Sequence, residues 1–249
     1  VQAHLAMILV EHDSVEIMLS WMAFNVQNPG VKIRWAPLIK GIEGDGKSVL
    51  GNLMMGVMGI VNVGIVSPSV LSTGFSKWAS GRCVNVLEEI RMVGHNRHDV
   101  LNTIKPYITN DQVPVHPKGV DEYMAPNTTN YIAFTNHHDA LPLEDTDRRW
   151  WVQFTPFNSQ KELLKVADSD YFRRLFDAIR DHSPGLRKWL LEYQLSPLFN
   201  PTGQAPSSLA KDQMISLNTS DEFGAVKDLI EEGGYGFNGK ILSSKHLST

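Results

Sequence analysis

Short apolar runs alternate with longer amphipathic segments along most of the 249 residues of the chain. The runs have the length and the bulky side chains of buried β-strands, and they lie at 35–39, 61–66, 83–87, 131–135 and 150–154. Between them, apolar residues recur every three or four positions, which is typical of helices. Strands that alternate with helices predict an α/β fold of three layers around a largely parallel sheet.

Helical periodicity also flanks the strand-rich part. One long helix is expected over residues 4–27, up to the break at Asn28-Pro29-Gly30. Within the strand-rich part, a short helix is expected over 72–79. Beyond Pro156 the helical pattern returns. The helices predicted there lie at 161–166, 171–181, 186–193, 210–217 and 222–231.

Turn residues mark a hairpin, a linker and the borders between parts of the chain. Residues 112–116 and 123–125 are predicted to be the arms of a hairpin around Pro117-Lys118-Gly119, and 198–208 is rich in linker residues. The predicted parts are an N-terminal helical segment (1–30), a strand-rich core (31–157), a C-terminal helical part (158–220) and the start of a truncated accessory module (221–249).

The composition is that of a globular protein, with 42% hydrophobic and 20% charged residues. No apolar run approaches the ~20 residues that cross a bilayer, so no membrane association is expected. The single cysteine, Cys83, fits a reducing compartment such as the cytoplasm, and the start at Val1 suggests a piece of a longer protein. The net charge of −4 disfavours a surface that grips duplex DNA, but it is compatible with a narrow channel carrying a few lysines.

One short segment carries a strong chemical signature. Gly41 to Ser48 matches the phosphate-binding pattern G-x-x-x-x-G-K-[ST], with a buried strand before it and a helical pattern after it. In such a loop backbone N–H groups wrap the phosphates, the lysine reaches the β- and γ-phosphates, and the serine hydroxyl binds Mg²⁺. The predicted ATP-binding residues are Gly41, Gly44, Asp45, Gly46, Lys47, Ser48 and Val49. The pattern alone does not separate a motor from a kinase or a switch.

Polar residues follow the next two buried strands of the core. Glu88 and Glu89 end the strand at 83–87, and Asn136 ends the strand at 131–135. Because ligands bind at the carboxyl ends of parallel strands, these side chains are expected to face the phosphate loop. Glu88 would hold Mg²⁺ with Ser48, Glu89 would activate the attacking water, and Asn136 would contact the γ-phosphate or that water. Taken alone, the acids also fit a solvated loop and the asparagine a turn.

Two arginines, Arg148 and Arg149, come directly before the strand at 150–154. Arginine is suited to stabilising the charge that develops on a transferred phosphoryl group. The alternative is a surface salt bridge with Asp145 or Asp147.

In this order the residues resemble the superfamily 3 helicases, in particular the primase–helicase type of phages, viruses and integrated elements. The resemblance covers roughly residues 1–220 and is strongest over 38–157. It rests on the phosphate loop, on Val84 to Glu89, on Leu101 to Gly119, on Phe134-Thr135-Asn136 and on Asp147-Arg148-Arg149.

The resemblance implies a P-loop ATPase core with an AAA+-like sheet over 31–157 and an ATP- and Mg²⁺-dependent helicase. It implies a homo-hexameric ring that moves on single-stranded DNA, with each ATP site completed by an arginine of the neighbouring subunit; both arginines fit, with Arg149 favoured. Lys118 matches the basic residue of the family's pore hairpin, although Asp121 and Glu122 follow it closely. A primase or polymerase module before this segment and a phage or mobile element in a bacterial cell are also implied.

Two other functions compete with a DNA motor. A P-loop phosphotransferase such as a nucleotide kinase needs an arginine-rich lid and an acceptor pocket, and no arginine cluster of that kind is evident after the strands. A non-catalytic nucleotide switch or assembly module needs no catalytic base, so Glu88-Glu89 weighs against it. ATP turnover with and without single-stranded DNA distinguishes the three.

Overall fold

The structure is a computed structural model that describes residues 1–71, 73–90 and 97–217, together with two short strands near the carboxyl end. Those strands, Phe237–Asn238 and Ile241–Leu242, pair antiparallel. The helix predicted at 222–231 lies outside the described residues.

A parallel sheet of five strands forms the centre of the molecule. The strands of the chain up to residue 154 are β1 (Ala36–Lys40), β2 (Val63–Val66), β3 (Val84–Leu87), β4 (Gln112–Val115), β5 (Tyr123–Pro126), β6 (Asn130–Thr135) and β7 (Trp150–Phe154). The main sheet has the order β2-β3-β6-β1-β7, and each neighbouring pair is parallel. This confirms the predicted α/β fold with a parallel sheet.

Helices cover both faces of the sheet. They are α1 (Gln2–Ile8), α2 (Ser14–Gln27), α3 (Val49–Met58), α4 (Pro68–Leu71), α5 (Arg97–Thr109), α6 (Gln160–Leu163) and α7 (Tyr171–Glu192), with a 3-10 helix at Lys77–Ala79 and a further helical stretch at 209–217. Within the ranges that the structure describes, no helix combines the length and the apolar character needed to cross a membrane.

The single helix predicted over residues 4–27 is wrong. The chain forms α1 and α2, and it breaks between them at Asp13, whose φ of 62° is left-handed. The Ser14 hydroxyl donates to the carbonyl of Glu11 at 2.6 Å, which stabilises the break locally. Residues 11–14, Glu11-His12-Asp13-Ser14, are all polar and interrupt the apolar spacing between Val10 and Val15. The prediction of one helix overlooked this interruption.

Two other helix predictions also differ from the structure. The predicted helices at 171–181 and 186–193 are one helix of 22 residues, α7, with Pro184 inside it. Proline normally disrupts a helix interior, but α7 packs along both α2 and α3 and buries Ile179 and Leu190 there. Of the helix predicted at 72–79, the described residues form only the 3-10 turn at Lys77–Ala79, and residue 72 lies outside the description.

The hydrophobic core has two parts, one on each face of the sheet. One part lies between the sheet and α1, α2, α3 and α7, and it includes Ile39 and Phe134. The other lies between the sheet and α5 with β4, and it includes Leu38 and Ala133. Because successive strand residues point to opposite faces, the sheet is the middle of three layers.

The predicted hairpin is confirmed. β4 and β5 pair antiparallel with Val115 opposite Tyr123, and Gly119 in the connection has a left-handed φ of 78°. Val113 and Val115 of β4 are fully buried, whereas Tyr123 and Met124 of β5 are exposed. The hairpin is therefore anchored through β4, and its second strand and tip face outward.

Candidate active site

The phosphate loop predicted at 41–48 connects β1, an inner strand of the sheet, to α3. Gly44 and Gly46 have left-handed φ values of 76° and 91°, a conformation that side chains disfavour. At Gly41 an added Cβ would lie 1.7 Å from Oδ2 of Asp45, so only glycine fits there. Ser48 is exposed, and its hydroxyl makes no capping bond to α3. The hydroxyl is thus not consumed by the helix that it precedes.

A buried polar group stabilises the loop from within. Asp45 is fully buried, and its carboxylate accepts from the hydroxyl of Thr155 at 2.7 Å. The Lys47 ammonium donates to the carbonyl of Ile42 at 2.7 Å and lies 3.4 Å from Oδ1 of Asp45. Lys47 is therefore directed by the loop itself, next to the Ser48 hydroxyl.

The loop is also held from outside by three elements. Thr155, just after β7, reaches Asp45. The Gln160 side chain at the start of α6 donates to the carbonyl of Glu43. On a third side, His4 of α1 contacts the carbonyl of Gly46 at 3.0 Å. These contacts explain how a glycine-rich loop keeps a defined shape.

A cleft of about 130 Å³ brings together predicted site residues from three separate parts of the chain. Its walls come from the phosphate loop, from the residues after β3 and from the end of β6, because all three lie at the carboxyl edge of the parallel sheet. The lining residues are Glu43, Gly44, Lys47, Ser48, Glu88, Glu89, Phe134, Thr135 and Asn136. The hydroxyl, carboxylate and amide groups predicted to act on one nucleotide thus share one cavity.

The acid pair has a constrained backbone. Glu89 adopts a left-handed φ of 50°, one of two non-glycine residues in the described ranges to do so. Its neighbours are fixed by strand-to-strand hydrogen bonds, from Glu88 N to the carbonyl of Val66 at 3.2 Å and from Ile90 N to the carbonyl of Phe134 at 2.9 Å. The left-handed conformation costs a non-glycine residue about 1–2 kcal/mol, and such strain concentrates at functional sites.

Lys40 and His138 are site neighbours that the sequence did not single out. The Lys40 ammonium lies 2.6 Å from Nε2 of His138, just behind the loop. Desolvation lowers the pKa of Lys40, and both burial and the Lys40 charge lower the pKa of His138. A neutral imidazole can accept from the ammonium, which satisfies both groups. The pair lies on two different strand ends, β1 and the residues after β6, so no spacing in the sequence signals it.

The two arginines lie at the opposite edge of the sheet. Arg149 directly precedes β7, and its carbonyl accepts from the amide of Ala36, the first residue of β1. Since β1 and β7 are parallel and five residues long, their amino ends are about 16 Å from the edge that carries the phosphate loop. Arg148 is exposed, whereas Arg149 is partly buried. The structure therefore does not bring either arginine to the cleft of its own chain.

Lys118 is also remote from the cleft. It is exposed at the tip of the β4–β5 hairpin and is absent from the residues that line the cavity. At the turn end of the hairpin, where His116 follows β4, Phe75 and His116 pack edge-to-face with ring centroids 5.3 Å apart. Two hydrogen bonds between Ser76 and His116, at 3.0 and 2.9 Å, fix this contact. An exposed aromatic ring therefore lies on the hairpin side of the molecule.

Parts of this chain match known proteins. Residues 39–149 match the model of a family of unknown function, DUF5906. The DNA primase-polymerase of Nitratiruptor phage NrS-1 is 24% identical over 171 residues, which are 62% of this chain and 23% of that protein. The chain is homologous to this phage protein.

Solved structures identify the related part of that protein. An apo structure of the C-terminal region of NrS-1 superposes with a TM-score of 0.74 at 20% identity, over 86% of this chain and 50% of that one. An A-form apo structure of the same region gives a TM-score of 0.71 at 19% identity, over 98% and 59% of the two chains. The chain thus has the mixed α/β fold of that region, and it spans a little over half of it.

Proposed function

We propose that this chain is an ATP-hydrolysing motor domain, a superfamily 3-like helicase module of a phage or mobile-element replication protein. The observation that carries the proposal is the shared cleft. It joins Lys47 and Ser48 to Glu88, Glu89 and Asn136 at one edge of a parallel sheet. The homologous NrS-1 protein is named a DNA primase-polymerase, which supports a role in replication beside such a module.

The strand order supports hydrolysis over mere nucleotide binding. β6 lies between β1, which carries the phosphate loop, and β3, which carries the acids. At about 4.8 Å per strand, the acids stand about 10 Å from the loop strand. That separation leaves room for a terminal phosphate and an attacking water between Lys47 and Glu89. An AAA+-like ATPase core is part of the proposal.

The donor set fits Mg²⁺, a hard cation that prefers oxygen ligands and keeps several waters. The free hydroxyl of Ser48 and the carboxylate of Glu88 would hold it, and when bound it would neutralise charge on the phosphates. Glu89 would accept the proton of the attacking water, and Asn136 would orient that water. Lys47 would exchange its bonds to Ile42 and Asp45 for phosphate oxygens.

The hairpin is the proposed contact to single-stranded DNA. Lys118 at its tip would bind a phosphate, and the exposed Phe75 ring beside His116 would offer a face for a base to stack on. Both features lie away from the cleft, so DNA and nucleotide would not compete for the same groups.

The position of the arginines supports assembly into a ring, which we propose to be a hexamer. In one chain they face away from the phosphate loop, across the height of the sheet. A neighbouring subunit that docks its amino edge against this carboxyl edge would supply an arginine to the nucleotide. Arginine supplied in trans is an established means of stabilising phosphoryl transfer.

A kinase-type lid finds no support in α7. Three of its four arginines pair with aspartates: Arg173 with Asp170, Arg174 with Asp168, and Arg180 with both Asp177 and Asp181. The fourth, Arg187, donates to the carbonyl of Val57 at 2.6 Å. All four would have to leave these partners to close over a phosphate.

The proposal is tested by steady-state ATP hydrolysis with and without single-stranded DNA, on the wild-type protein and on Lys47→Ala. We expect Mg²⁺-dependent turnover that DNA increases and that Lys47→Ala abolishes. Turnover that depends on a small-molecule acceptor would replace the motor with a phosphotransferase. Nucleotide binding without turnover under any condition would leave only a switch.

A further inference from the structure

A histidine from α1 is buried against the phosphate loop. The side chain of His4 is only 2% exposed, and its Nε2 lies 3.0 Å from the carbonyl oxygen of Gly46. Its Nδ1 lies 3.2 Å from the hydroxyl of Tyr171, the first residue of α7. Because a carbonyl only accepts, Nε2 must carry a proton. Nδ1 is then free to accept from the tyrosine, which describes a neutral imidazole, and burial lowers the pKa of His4 in agreement.

The same point of the loop is sterically confined. A Cβ added at Gly46 would lie 2.6 Å from Cε1 of His4 and 2.5 Å from Cε1 of Phe172. Gly46 therefore sits between α1 and α7 without space for a side chain. The contact is not an incidental surface hydrogen bond, since both helices close on a single peptide unit of the loop.

The peptide that His4 holds is the one that ends in the amide of Lys47. In a trans peptide the C=O and N–H groups point in opposite directions. With the Gly46 carbonyl fixed toward α1, the Lys47 N–H is directed to the other side, where it donates to Oδ1 of Asp45 at 3.2 Å. A bound phosphate oxygen would replace this acceptor. Phosphate loops bind anions through N–H groups of this kind.

We propose that His4 is a positioning residue for nucleotide binding, which holds the Gly46 carbonyl so that the Lys47 N–H faces the phosphates. Tyr171 fixes the imidazole in turn, so the packing of α1 against α7 sets the shape of the phosphate loop. This inference rests on the proposed nucleotide site, and it adds a residue that no phosphate-loop pattern contains. His4 lies 42 positions from Gly46 in the sequence.

Isothermal titration with Mg-ADP tests the inference on three forms of the full chain: wild type, His4→Leu and His4→Gln. Leucine fills a similar volume without a donor, whereas the glutamine amide donates from nearly the position of Nε2. One neutral hydrogen bond is worth about tenfold in an equilibrium constant at most. We expect the dissociation constant to rise about five- to tenfold in His4→Leu and to stay within about threefold in His4→Gln. A purely structural role would not separate the two variants in this way.

Two further measurements keep the inference testable if His4→Leu folds poorly. Tyr171→Phe retains the ring contacts but frees Nδ1, and we expect it to weaken Mg-ADP by about two- to threefold. The amide hydrogen of Lys47 should exchange with solvent at similar rates in the wild-type protein and in His4→Gln. It should exchange faster in His4→Leu and in Tyr171→Phe. Equal affinity in wild type, His4→Leu and Tyr171→Phe would overturn the role of His4 while leaving the nucleotide site intact. Failure of the wild-type protein to bind Mg-ADP would instead refute the proposed function.

Discussion

Glu89 offers a test in which stability and activity should change in opposite directions. Its left-handed φ of 50° is imposed by hydrogen bonds from its neighbours to β2 and β6. Glycine adopts this conformation without the Cβ clash, but it loses more chain entropy on folding. The clash costs about 1–2 kcal/mol and the entropy about 0.5–1 kcal/mol, so Glu89→Gly should stabilise the fold by about 0.5–1 kcal/mol. For a chain of this size, a gain of about 1 kcal/mol raises the midpoint temperature of thermal unfolding by about 2–4 °C.

The same substitution removes the proposed general base. A positioned base contributes typically about 10²–10⁴-fold to a rate, so Glu89→Gly should hydrolyse ATP at least ~10²-fold more slowly while still binding Mg-ATP. Glu89→Gln should show the same loss of turnover without the gain in stability, because it keeps a Cβ at the strained position. Thermal unfolding and ATP turnover, measured on the same preparations, give both quantities.

Asp13 provides a matched control. It is the other described non-glycine residue with positive φ, at 62°, and its side chain makes no capping bond to α2. It lies far along the chain from the cleft and lines no part of it. Asp13→Gly should therefore stabilise the fold to a similar degree and leave ATP turnover unchanged. If Glu89→Gly is less stable than wild type, or if it retains turnover, the assignment of strain and catalysis to this residue is wrong.

Three further predictions follow from other parts of the structure. Lys118→Ala should abolish the stimulation of ATP hydrolysis by DNA. It should also reduce the dependence of the DNA-binding constant on salt, by about 0.7 in the log–log slope per lost phosphate contact. The control, Lys165→Ala, removes an exposed lysine outside the hairpin and should change neither. Arg148→Ala should bind ATP but turn it over slowly, and mixing it with Lys47→Ala protein should restore some activity; no recovery in a demonstrated mixed assembly would contradict a role in trans. Burial lowers the pKa of Lys32 to about 7, below its usual value near 10.4. Between these two pKa values Lys32 binds more protons in the unfolded chain than in the folded one, so the free energy of unfolding should rise with pH. Urea unfolding at pH 7 and pH 9 should show this gain in wild type and a smaller one in Lys32→Met; an equal gain in both would refute it.

The sheet and the cleft could be predicted because short-range patterns determine them. A buried strand that ends in a polar residue is visible in the sequence, and parallel strands bring such ends to one edge. Glu88, Glu89 and Asn136 were predicted in this way, and Lys47 and Ser48 from the phosphate-loop pattern. The structure brings all five to one cleft, although 89 positions separate Lys47 from Asn136. The assignment needed only the correct strands and their common direction.

The residues that support the loop could not be predicted in the same manner. His4, Thr155 and Gln160 reach the phosphate loop from α1, from the end of β7 and from α6. Each contact depends on how a helix or strand packs in three dimensions, and a single histidine, threonine or glutamine has many more common uses. The continuity of α7 through Pro184 was missed for a related reason, since packing against α2 and α3 outweighs local preference there.

The sequence also could not decide which of two adjacent arginines serves a neighbouring subunit, because that depends on which side chain is exposed. Both directly precede β7, and the sequence slightly favours Arg149. Near a strand, successive side chains point to opposite sides, so one of an adjacent pair faces the protein when the other faces outward. Arg149 is the partly buried one, whereas Arg148 is exposed in a cleft beside Arg34. An arginine that serves a neighbouring subunit has to extend beyond its own surface, so burial favours Arg148 for that role. In the mixing experiment, Arg148→Ala should accordingly impair turnover more than Arg149→Ala, and the reverse order would restore the preference drawn from the sequence.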